Sequence, residues 1–283
     1  MGQMVWEAVV PAPAVTAATP AIELRDVTKR FRTPSGDIYT ALRDLNLTVR
    51  AGEFVLVVGP TGCGKSTTLA LISGLTPASS GEVRVQGKSV NGIGDNLGYV
   101  FQGDVLFPWK SVLGNVAAGL RFRGAKKKEA NEQAREWIAK VGLSGFEDHY
   151  PHQLSGGMRK RTALAQSLIT SPELILMDEP FSALDVQTRA LMEDELLDLW
   201  SATSASVVFV THDLEEAIAL SDRVCVITAG PGTVKGIYEI DLPRPRHVAE
   251  IRFEPRFVEL YRDIWENLRD EVLVSYERAK KNV

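Results

Sequence analysis

The sequence has little cysteine, no long apolar run and no excess of positive charge, and each shortage excludes a class of protein. Two cysteines, Cys63 and Cys225, among 283 residues are too few for a disulfide framework or a cysteine metal cage. No stretch reaches the about 18 consecutive apolar residues of a transmembrane helix, so we expect no membrane span. The net charge of −4 argues against a nucleic-acid partner, because proteins that bind the phosphate backbone are usually basic.

The first 20 residues differ in composition from the rest of the chain. They are rich in Ala, Pro, Val and Thr and carry one charge, Glu7. No Lys or Arg precedes their apolar part and prolines interrupt it, so a secretory signal is not expected. We predict a flexible arm over residues 1–20 and a cytosolic chain with reduced cysteines, unless a partner holds it at a membrane.

From Ala21 onward, strand patterns alternate with helical patterns. The strand patterns are AIELRDV, LNLTV, EFVLVVG, EVRVQG, LGYVF, ELILMDE, SVVFVTH and DRVCVIT. The helical patterns cover residues 64–75, 126–141, 155–170, 186–203 and 213–220. This alternation predicts an α/β fold with a mainly parallel sheet. Residues 103–165 have no convincing strand, so we predict a helical subdomain inserted between two core strands.

An eight-residue motif lies between a predicted strand and a predicted helix and matches the phosphate-binding P-loop pattern. Its residues are Gly59, Pro60, Thr61, Gly62, Cys63, Gly64, Lys65 and Ser66. The glycines let backbone N–H groups turn inward, and the helix that follows adds its positive dipole end. Lys65 is expected to reach the β- and γ-phosphates, and the Ser66 hydroxyl is expected to ligate Mg²⁺.

A second motif is the apolar strand that ends in Asp178 and Glu179, and it indicates what the protein does with a bound nucleotide. Asp178 can hold the Mg²⁺ shell as a Walker-B aspartate does. Glu179 is placed to polarise an attacking water as a general base. Together with the P-loop, these acids predict nucleotide hydrolysis.

The segment Leu154-Ser155-Gly156-Gly157-Met158 opens a helical pattern, and here the sequence resembles ATP-binding-cassette (ABC) ATPases, whose signature is commonly LSGGQ. Other motifs agree with that family in order and spacing: Gln102 resembles the Q-loop residue, residues 182–185 the D-loop, His212 the switch histidine and Phe31 the aromatic that stacks on adenine. The resemblance covers about residues 21–255.

The resemblance implies a P-loop NTPase (RecA-like) core with a mainly parallel sheet, an N-terminal antiparallel β subdomain and the inserted helical subdomain. It divides the chain into the arm (1–20), an ABC ATPase domain (21–255) and a C-terminal helical tail (256–283).

The resemblance also implies the residues of the site. Tyr39 competes with Phe31 as the aromatic that stacks on the adenine. The implied ATP-binding residues are Phe31, the eight P-loop residues, Thr67, Ser155, Gly156 and Gly157; the implied catalytic residues are Glu179, His212, Lys65 and Gln102; the implied Mg²⁺ residues are Ser66, Gln102 and Asp178.

The resemblance also implies partners. Ser155 with its two glycines forms a second anion cradle at a helix N-terminus, which in the family faces the ATP of a second subunit. One chain then holds half of each of two sites in a homodimer. The loop after Gln102 (GDVLFPWKSV) is expected near a transmembrane permease subunit, although Phe107 and Trp109 suit a core equally well.

Further sequence features, beyond the motifs that all ABC ATPases share, resemble the importer group for nitrate, sulfonates, taurine and bicarbonate. These are the SGGM form with Met158, the phrase FPWKSVLGNV and the tail IRFEPRFVELYRDIWENL. Met158 replaces the usual glutamine and Lys160 stands where glutamine is common, but Ser155 to Gly157 are intact, so we expect hydrolysis to survive. The expected function is the ATPase subunit of a membrane importer for a small anionic or sulfonate-type solute, peripheral on the cytoplasmic face, with an extracytoplasmic solute-binding protein as an indirect partner.

Three alternatives remain open from the sequence. The cassette can belong to a lipid-trafficking complex, some of which share SGGM, or to a soluble ATPase that acts on DNA or ribosomes. The chain shows neither the second cassette nor the coiled-coil insert usual in that soluble class. A degenerate cassette that binds ATP without hydrolysing it is disfavoured by intact Lys65, Asp178, Glu179 and His212.

Overall fold

The computed structural model describes residues 19–103 and 105–281. The arm predicted over residues 1–20 lies outside these residues except for its last two positions, so it stays a prediction. The described residues form the strands β1 (Ile22–Arg32), β2 (Ile38–Val49), β3 (Phe54–Val58), β4 (Ser80–Val85), β5 (Lys88–Ser89), β6 (Leu97–Val100), β7 (Leu174–Asp178), β8 (Ser206–Thr211), β9 (Arg223–Ile227) and β10 (Val234–Glu239). They also form the helices α1 (Lys65–Ile72), α2 (Val112–Val116), α3 (Ala118–Phe122), α4 (Lys127–Lys140), α5 (Gly156–Leu168), α6 (Val186–Ser201), α7 (Leu214–Leu220), α8 (Val248–Ile251) and α9 (Pro255–Lys281).

A six-stranded sheet in the order β10–β9–β3–β8–β7–β6 forms the centre of the fold. Its neighbouring strands are parallel except for β10, which is antiparallel to β9. β3 is apolar throughout because both of its faces are covered. Phe54, Leu56 and Val58 pack with α5, α6, α7 and α9, whereas Val55 and Val57 pack toward α1 and the N-terminal strands.

A smaller antiparallel sheet, in the order β2–β1–β4–β5, covers α1 and the second face of the central sheet. β1 and β2 are longer than the strands AIELRDV and LNLTV that the sequence predicts. Register shifts between Leu24 and Arg30 break the two-residue alternation on which that prediction depends. The extra length brings Phe31 opposite Tyr39 at the end of the strand pair.

The described residues between β6 and β7 form α2 to α5 and a single 3-10 turn, with no strand. They enclose a separate apolar cluster that includes Val116, Ala130, Ile138, Leu154 and Ala165. The predicted fold class is therefore confirmed: an α/β fold with a mainly parallel sheet, an antiparallel N-terminal sheet and an inserted helical segment.

The C-terminal region adds two features to this fold. α9 buries Phe257, Leu260, Ile264 and Leu268 at helical spacing against the core. β10 has no predicted counterpart, because an edge strand with half-exposed polar residues lacks an apolar run. Within the described ranges, no helix combines the length and apolar character needed to cross a membrane.

Candidate active site

Three strands of the central sheet end at one edge, and the predicted nucleotide residues follow them. The P-loop follows β3, Glu179 follows β7 and His212 follows β8. Because β3, β8 and β7 are parallel neighbours, their carboxyl ends meet at this edge, where α/β sheets bind ligands.

The loop between β3 and α1 requires glycine at two positions. Gly64 has a φ of 104°, and a Cβ there would lie 2.5 Å from Leu42 Cδ2. A Cβ on Gly59 would lie 2.7 Å from Ile227 Cγ1. α1 begins without a side-chain cap, so its first N–H groups and its positive dipole end adjoin the loop. The arrangement is an anion cradle that suits a nucleotide phosphate.

Lys65 is a cation buried beside this cradle. Its side chain is 5% exposed, and its Nζ donates hydrogen bonds to the Gly59 carbonyl at 2.9 Å and the Pro60 carbonyl at 3.4 Å. The same Nζ lies 3.5 Å from Glu179 Oε1. The ammonium is therefore positioned to neutralise negative charge on phosphate.

Ser66 and Asp178 present a hydroxyl and a carboxylate side by side. Ser66 Oγ donates a hydrogen bond to Asp178 Oδ1 at 2.9 Å. Burial raises the pKa of the Asp178 carboxyl, and the bond from Ser66 opposes that rise. No group of three His, Cys, Asp or Glu residues in the described chain can hold a metal by itself. Two oxygen ligands fit Mg²⁺, which takes few protein ligands and completes its shell with phosphate and water.

Glu179 and His212 face each other across the strand ends. Glu179 Oε2 lies 2.9 Å from His212 Nδ1, at hydrogen-bonding distance. Glu179 has a φ of 42°, rare for a residue with a side chain, and its N–H donates to the Val210 carbonyl at 3.0 Å. The strained backbone at Glu179 is thus held by β8, the strand that leads to His212.

A cavity of about 450 Å³, here called the P-loop cavity, brings most of the predicted site residues together. Its lining includes Phe31, Thr61, Gly62, Gly64, Lys65, Ser66, Thr67, Gln102, Glu179 and His212. Asp178 adjoins it through Ser66. Of the described P-loop residues, Gly59 and Pro60 line a neighbouring cavity against α9, and Cys63 is buried, which raises the pKa of its thiol.

Two aromatic side chains stand at the mouth of the P-loop cavity. Phe31 and Tyr39 both line it and are 40% and 47% exposed. The Tyr39 hydroxyl donates to the Gly62 carbonyl at 3.4 Å, and the Lys29 ammonium lies 4.9 Å from the Phe31 ring centroid. Both rings are therefore positioned to pack on a base.

The predicted second cradle is separate from the first. Ser155, Gly156 and Gly157 are not among the described residues that line the P-loop cavity. Ser155 caps α5, accepting the Met158 N–H at 3.3 Å, and the Met158 side chain packs against the cluster of the helical segment. Within one chain, this N-terminus of α5 does not serve the P-loop.

Sequence reasoning missed one contact that involves a predicted residue. The Lys160 ammonium, 4% exposed, donates to the Gln102 carbonyl at 2.6 Å. The sequence shows Lys160 only as a departure from the common glutamine, because no local pattern relates it to a loop residue 58 positions away.

Comparisons with known proteins agree with this geometry. The ABC transporter family profile matches residues 42–182. An uncharacterized ABC transporter ATP-binding protein of Methanocaldococcus jannaschii is 48% identical over 254 residues, which cover 90% of this chain and 93% of the relative. The nitrate import ATP-binding protein NrtD of Synechocystis sp. is 41% identical, covering 88% and 95%. The taurine import ATP-binding protein TauB of Escherichia coli is 43% identical, covering 77% and 87%.

A solved structure gives the same result for the fold. It is the dimeric post-hydrolysis state of an ATP-binding cassette bound to ADP and Pi, 34% identical with a TM-score of 0.70, and the match covers 78% of this chain and 100% of that one. The predicted resemblance is thereby confirmed. The chain belongs to the family of ABC transporter ATP-binding proteins and is an ATPase.

Proposed function

We propose that this chain is the ATP-binding and ATP-hydrolysing subunit of a membrane ABC importer for a small anionic or sulfonate-type solute. The observation that carries the hydrolytic part is the position of Glu179, whose carboxylate oxygens lie 3.5 Å from Lys65 Nζ and 2.9 Å from His212 Nδ1. A carboxylate held at the edge of a P-loop is suited to accept a proton from a water that attacks the γ-phosphate.

The other residues of the site have distinct proposed roles. Lys65 neutralises charge on the β- and γ-phosphate oxygens, and the P-loop backbone and Thr67 bind the phosphates. Ser66, Asp178 and Gln102 hold Mg²⁺, which when bound supplies further charge neutralisation. His212 donates to the γ-phosphate and orients the attacking water. Phe31 packs on the adenine, with Tyr39 beside it.

The proposal includes a homodimer with two shared ATP sites. Its support is the position of Ser155, Gly156 and Gly157 outside the P-loop cavity, together with the dimeric state of the solved relative. In a second copy, this α5 N-terminus completes the site by binding the γ-phosphate.

An exposed group of aromatic residues supports a permease partner. Trp109 and Phe122 are 71% and 73% exposed, and both rings lie near Phe107, with centroid distances of 5.7 and 6.1 Å. We call Phe107, Trp109 and Phe122 the aromatic patch. It adjoins a cavity of about 330 Å³ lined by Phe101, next to Gln102 in the chain. Exposed apolar patches of this kind mark interaction sites.

The relatives support the proposed solute class and location. Two of them are named for the import of nitrate and of taurine, both small solutes with an anionic oxygen group. We infer a peripheral position on the cytoplasmic face of the membrane, beneath permease subunits that receive solute from an extracytoplasmic binding protein. The division into arm (1–20), ATPase domain (21–255, with the helical subdomain at 103–165) and tail (256–283) is part of this proposal.

Affinity purification from detergent-solubilised membranes, with mass spectrometry, tests the proposal. Wild-type protein is expected to retain a permease and a solute-binding protein. Trp109→Glu is expected to lose both, and Ile93→Glu, which changes a residue 67% exposed outside the patch, is expected to keep them. Recovery of ribosomal or DNA-repair proteins without a membrane protein would contradict the importer, and recovery of a lipid-transfer permease would contradict the solute class.

A further inference from the structure

The guanidinium of Arg189, on the first turn of α6, joins two loops at the edge of the central sheet. Nη1 donates to Asp213 Oδ2 at 3.0 Å, and Nη2 donates to the Leu184 carbonyl at 3.2 Å. Leu184 belongs to the 182–185 loop, which closely follows Glu179, and Asp213 directly follows His212. One side chain therefore connects the two segments that extend from the proposed base and the proposed switch histidine.

The 182–185 loop is a fixed support for Arg189. Ser182 Oγ donates to the Glu179 carbonyl at 2.9 Å, and Asp185 caps α6 by accepting the Thr188 N–H at 3.0 Å. Both ends of this short loop are thus bonded, one to the turn after β7 and the other to the helix that carries Arg189.

The Asp213 carboxylate divides its two oxygens between α7 and Arg189. Oδ1 accepts the N–H groups of Glu215 at 2.9 Å and Glu216 at 3.3 Å, which caps α7. The Asp213 N–H donates to Thr211 Oγ1 at 3.0 Å. Thr211 and Asp213, on either side of His212, are therefore bonded to each other. Among the bonds described, Oδ2 of Asp213 accepts a hydrogen bond from Arg189 alone.

We propose that Arg189 is a positioning residue for His212: it holds Asp213 against the 182–185 loop, so that His212 Nδ1 stays within hydrogen-bonding distance of Glu179. Arg189 is not among the described residues that line the P-loop cavity, so it acts through Asp213 and touches no reacting group. The planar fork of arginine suits two acceptors at once, which a lysine ammonium does less well. This inference rests on the proposed role of His212 in hydrolysis.

A second arginine provides a matched control. Arg244 Nη2 also donates to one carboxylate, Asp222 Oδ1 at 2.8 Å, and to one backbone carbonyl, that of Leu220 at 2.8 Å. The Arg189–Asp213 side chains are 24% and 33% exposed, and the Arg244–Asp222 side chains 28% and 33%. Arg189 also lies close enough to the buried Glu193 and Glu216 carboxyls to lower their pKa, so the His212→Ala background described below separates position from lost ion pairing.

Steady-state kinetics of the isolated protein give the first test. Arg189→Leu is expected to lower kcat about tenfold while KM for ATP changes less than about twofold, because the P-loop is untouched. Arg244→Leu is expected to keep kcat within about twofold of wild type. Arg189→Lys is expected to recover part of the loss, since a lysine still reaches Asp213. Equal losses of kcat in the two leucine variants, or none in Arg189→Leu, would overturn the inference.

The background of His212→Ala gives the decisive test, read as single-turnover hydrolysis of radiolabelled ATP. If Arg189 acts through His212, Arg189→Leu lowers the residual rate less than about twofold in this background. The same fold loss in both backgrounds means a general structural role and overturns the inference. A normal rate in His212→Ala itself overturns the proposed role of His212, and the inference with it. An impaired His212→Ala together with a normal Arg189→Leu overturns the inference alone.

Discussion

The N-termini of α1 and α5 both lie within glycine-containing motifs, yet they differ in how their backbone N–H groups are used. Before α1 stands Gly64, with a φ of 104°, and no side chain caps the helix. Before α5 stands Ser155, which accepts the Met158 N–H at 3.3 Å. An uncapped N-terminus keeps its N–H groups for a phosphate, whereas the Ser155 hydroxyl retains its own O–H to donate to an anion.

The groups around the two N-termini differ as well. Lys65, Asp178 and Glu179 adjoin the α1 end, so binding groups and a proton acceptor are combined there. The α5 end offers Ser155 and two glycines, which can recognise an anion but cannot accept a proton from water. We therefore propose that one chain holds a catalytic half at the α1 end and a recognition half at the α5 end, and that the recognition half completes the site of another chain.

Among the predicted changes, Glu179→Gln in the catalytic half is expected to cause the largest loss of ATPase activity. We expect kcat to fall about 10³-fold, because the amide cannot accept the proton of the attacking water. Binding of ATP, measured by fluorescence titration, is expected to persist, since the P-loop is unchanged. Glu173→Gln alters an exposed glutamate before the same strand and serves as the control. A normal rate in Glu179→Gln would contradict the assignment of the base.

The recognition half is tested by Ser155→Ala against Ser111→Ala. Both serines cap a helix by accepting an N–H at 3.3 Å, so each variant is expected to lose about 1 kcal/mol of unfolding free energy. Only Ser155→Ala is expected to lower kcat, about tenfold, because only Ser155 is proposed to donate to phosphate. Calorimetry and ATPase assays measure the two effects. An equal loss of activity in both variants would mean that Ser155 only caps its helix, and would contradict its role in binding phosphate.

The mouth of the P-loop cavity gives a smaller effect. Phe31→Ala is expected to raise KM for ATP about fivefold with little change in kcat, because a stacking contact with the adenine is lost. Tyr39→Phe removes only the hydroxyl that donates to the Gly62 carbonyl and is expected to leave KM nearly unchanged. If Tyr39→Ala raises KM and Phe31→Ala does not, Tyr39 is the adenine platform.

The last expected effect is on stability, with no change in the ATP site, and concerns a buried pair of carboxyls, Glu193 on α6 and Glu216 on α7. Burial raises the pKa of Glu193 to about 7 from an ordinary 4.5, and burial with the neighbouring Glu193 raises the pKa of Glu216. The folded state favours the protonated form, so the stability that this pair contributes is present in full below the unfolded pKa and is lost as pH rises through the folded pKa.

Between about pH 5 and about pH 8, we therefore expect the unfolding free energy to fall by roughly 1 to 3 kcal/mol, lowering Tm by several degrees. Glu193→Gln is expected to flatten this dependence, because it removes one titrating group. Thermal unfolding at a series of pH values measures both. A Tm that stays constant in the wild type, or falls equally in Glu193→Gln, would contradict a titrating pair.

Contiguous motifs could be predicted from the sequence, whereas contacts between distant segments could not. The P-loop and the Asp178–Glu179 pair each lie at the end of an apolar strand, so local pattern and strand order alone bring them together. The Lys160 contact with Gln102 and the Arg189 contact with Asp213 span 58 and 24 positions, and they depend on how helices pack on the sheet. No local pattern encodes such packing.

Two strands show the same limit. β10 is an edge strand with half-exposed residues, and the pairing of β2 with β1 shifts register between Thr40 and Leu47, so neither strand shows a regular alternation along its length. Family resemblance alone predicts Phe31 near the adenine, whereas its pairing with Tyr39 is seen only in the folded sheet.

The central claim, that each ATP site combines the P-loop of one chain with the α5 N-terminus of another, is tested most directly by mixed dimers. Differently tagged chains are co-expressed, and dimers carrying both tags are purified. In the split dimer, one chain carries Glu179→Gln and the other Ser155→Ala; in the same-chain dimer, one chain carries both changes and the other is wild type.

If the sites are shared between chains, the split dimer keeps one intact site and the same-chain dimer keeps none. The account therefore predicts that the split dimer hydrolyses ATP faster. A faster same-chain dimer would mean that each site lies within one chain, and would contradict the account.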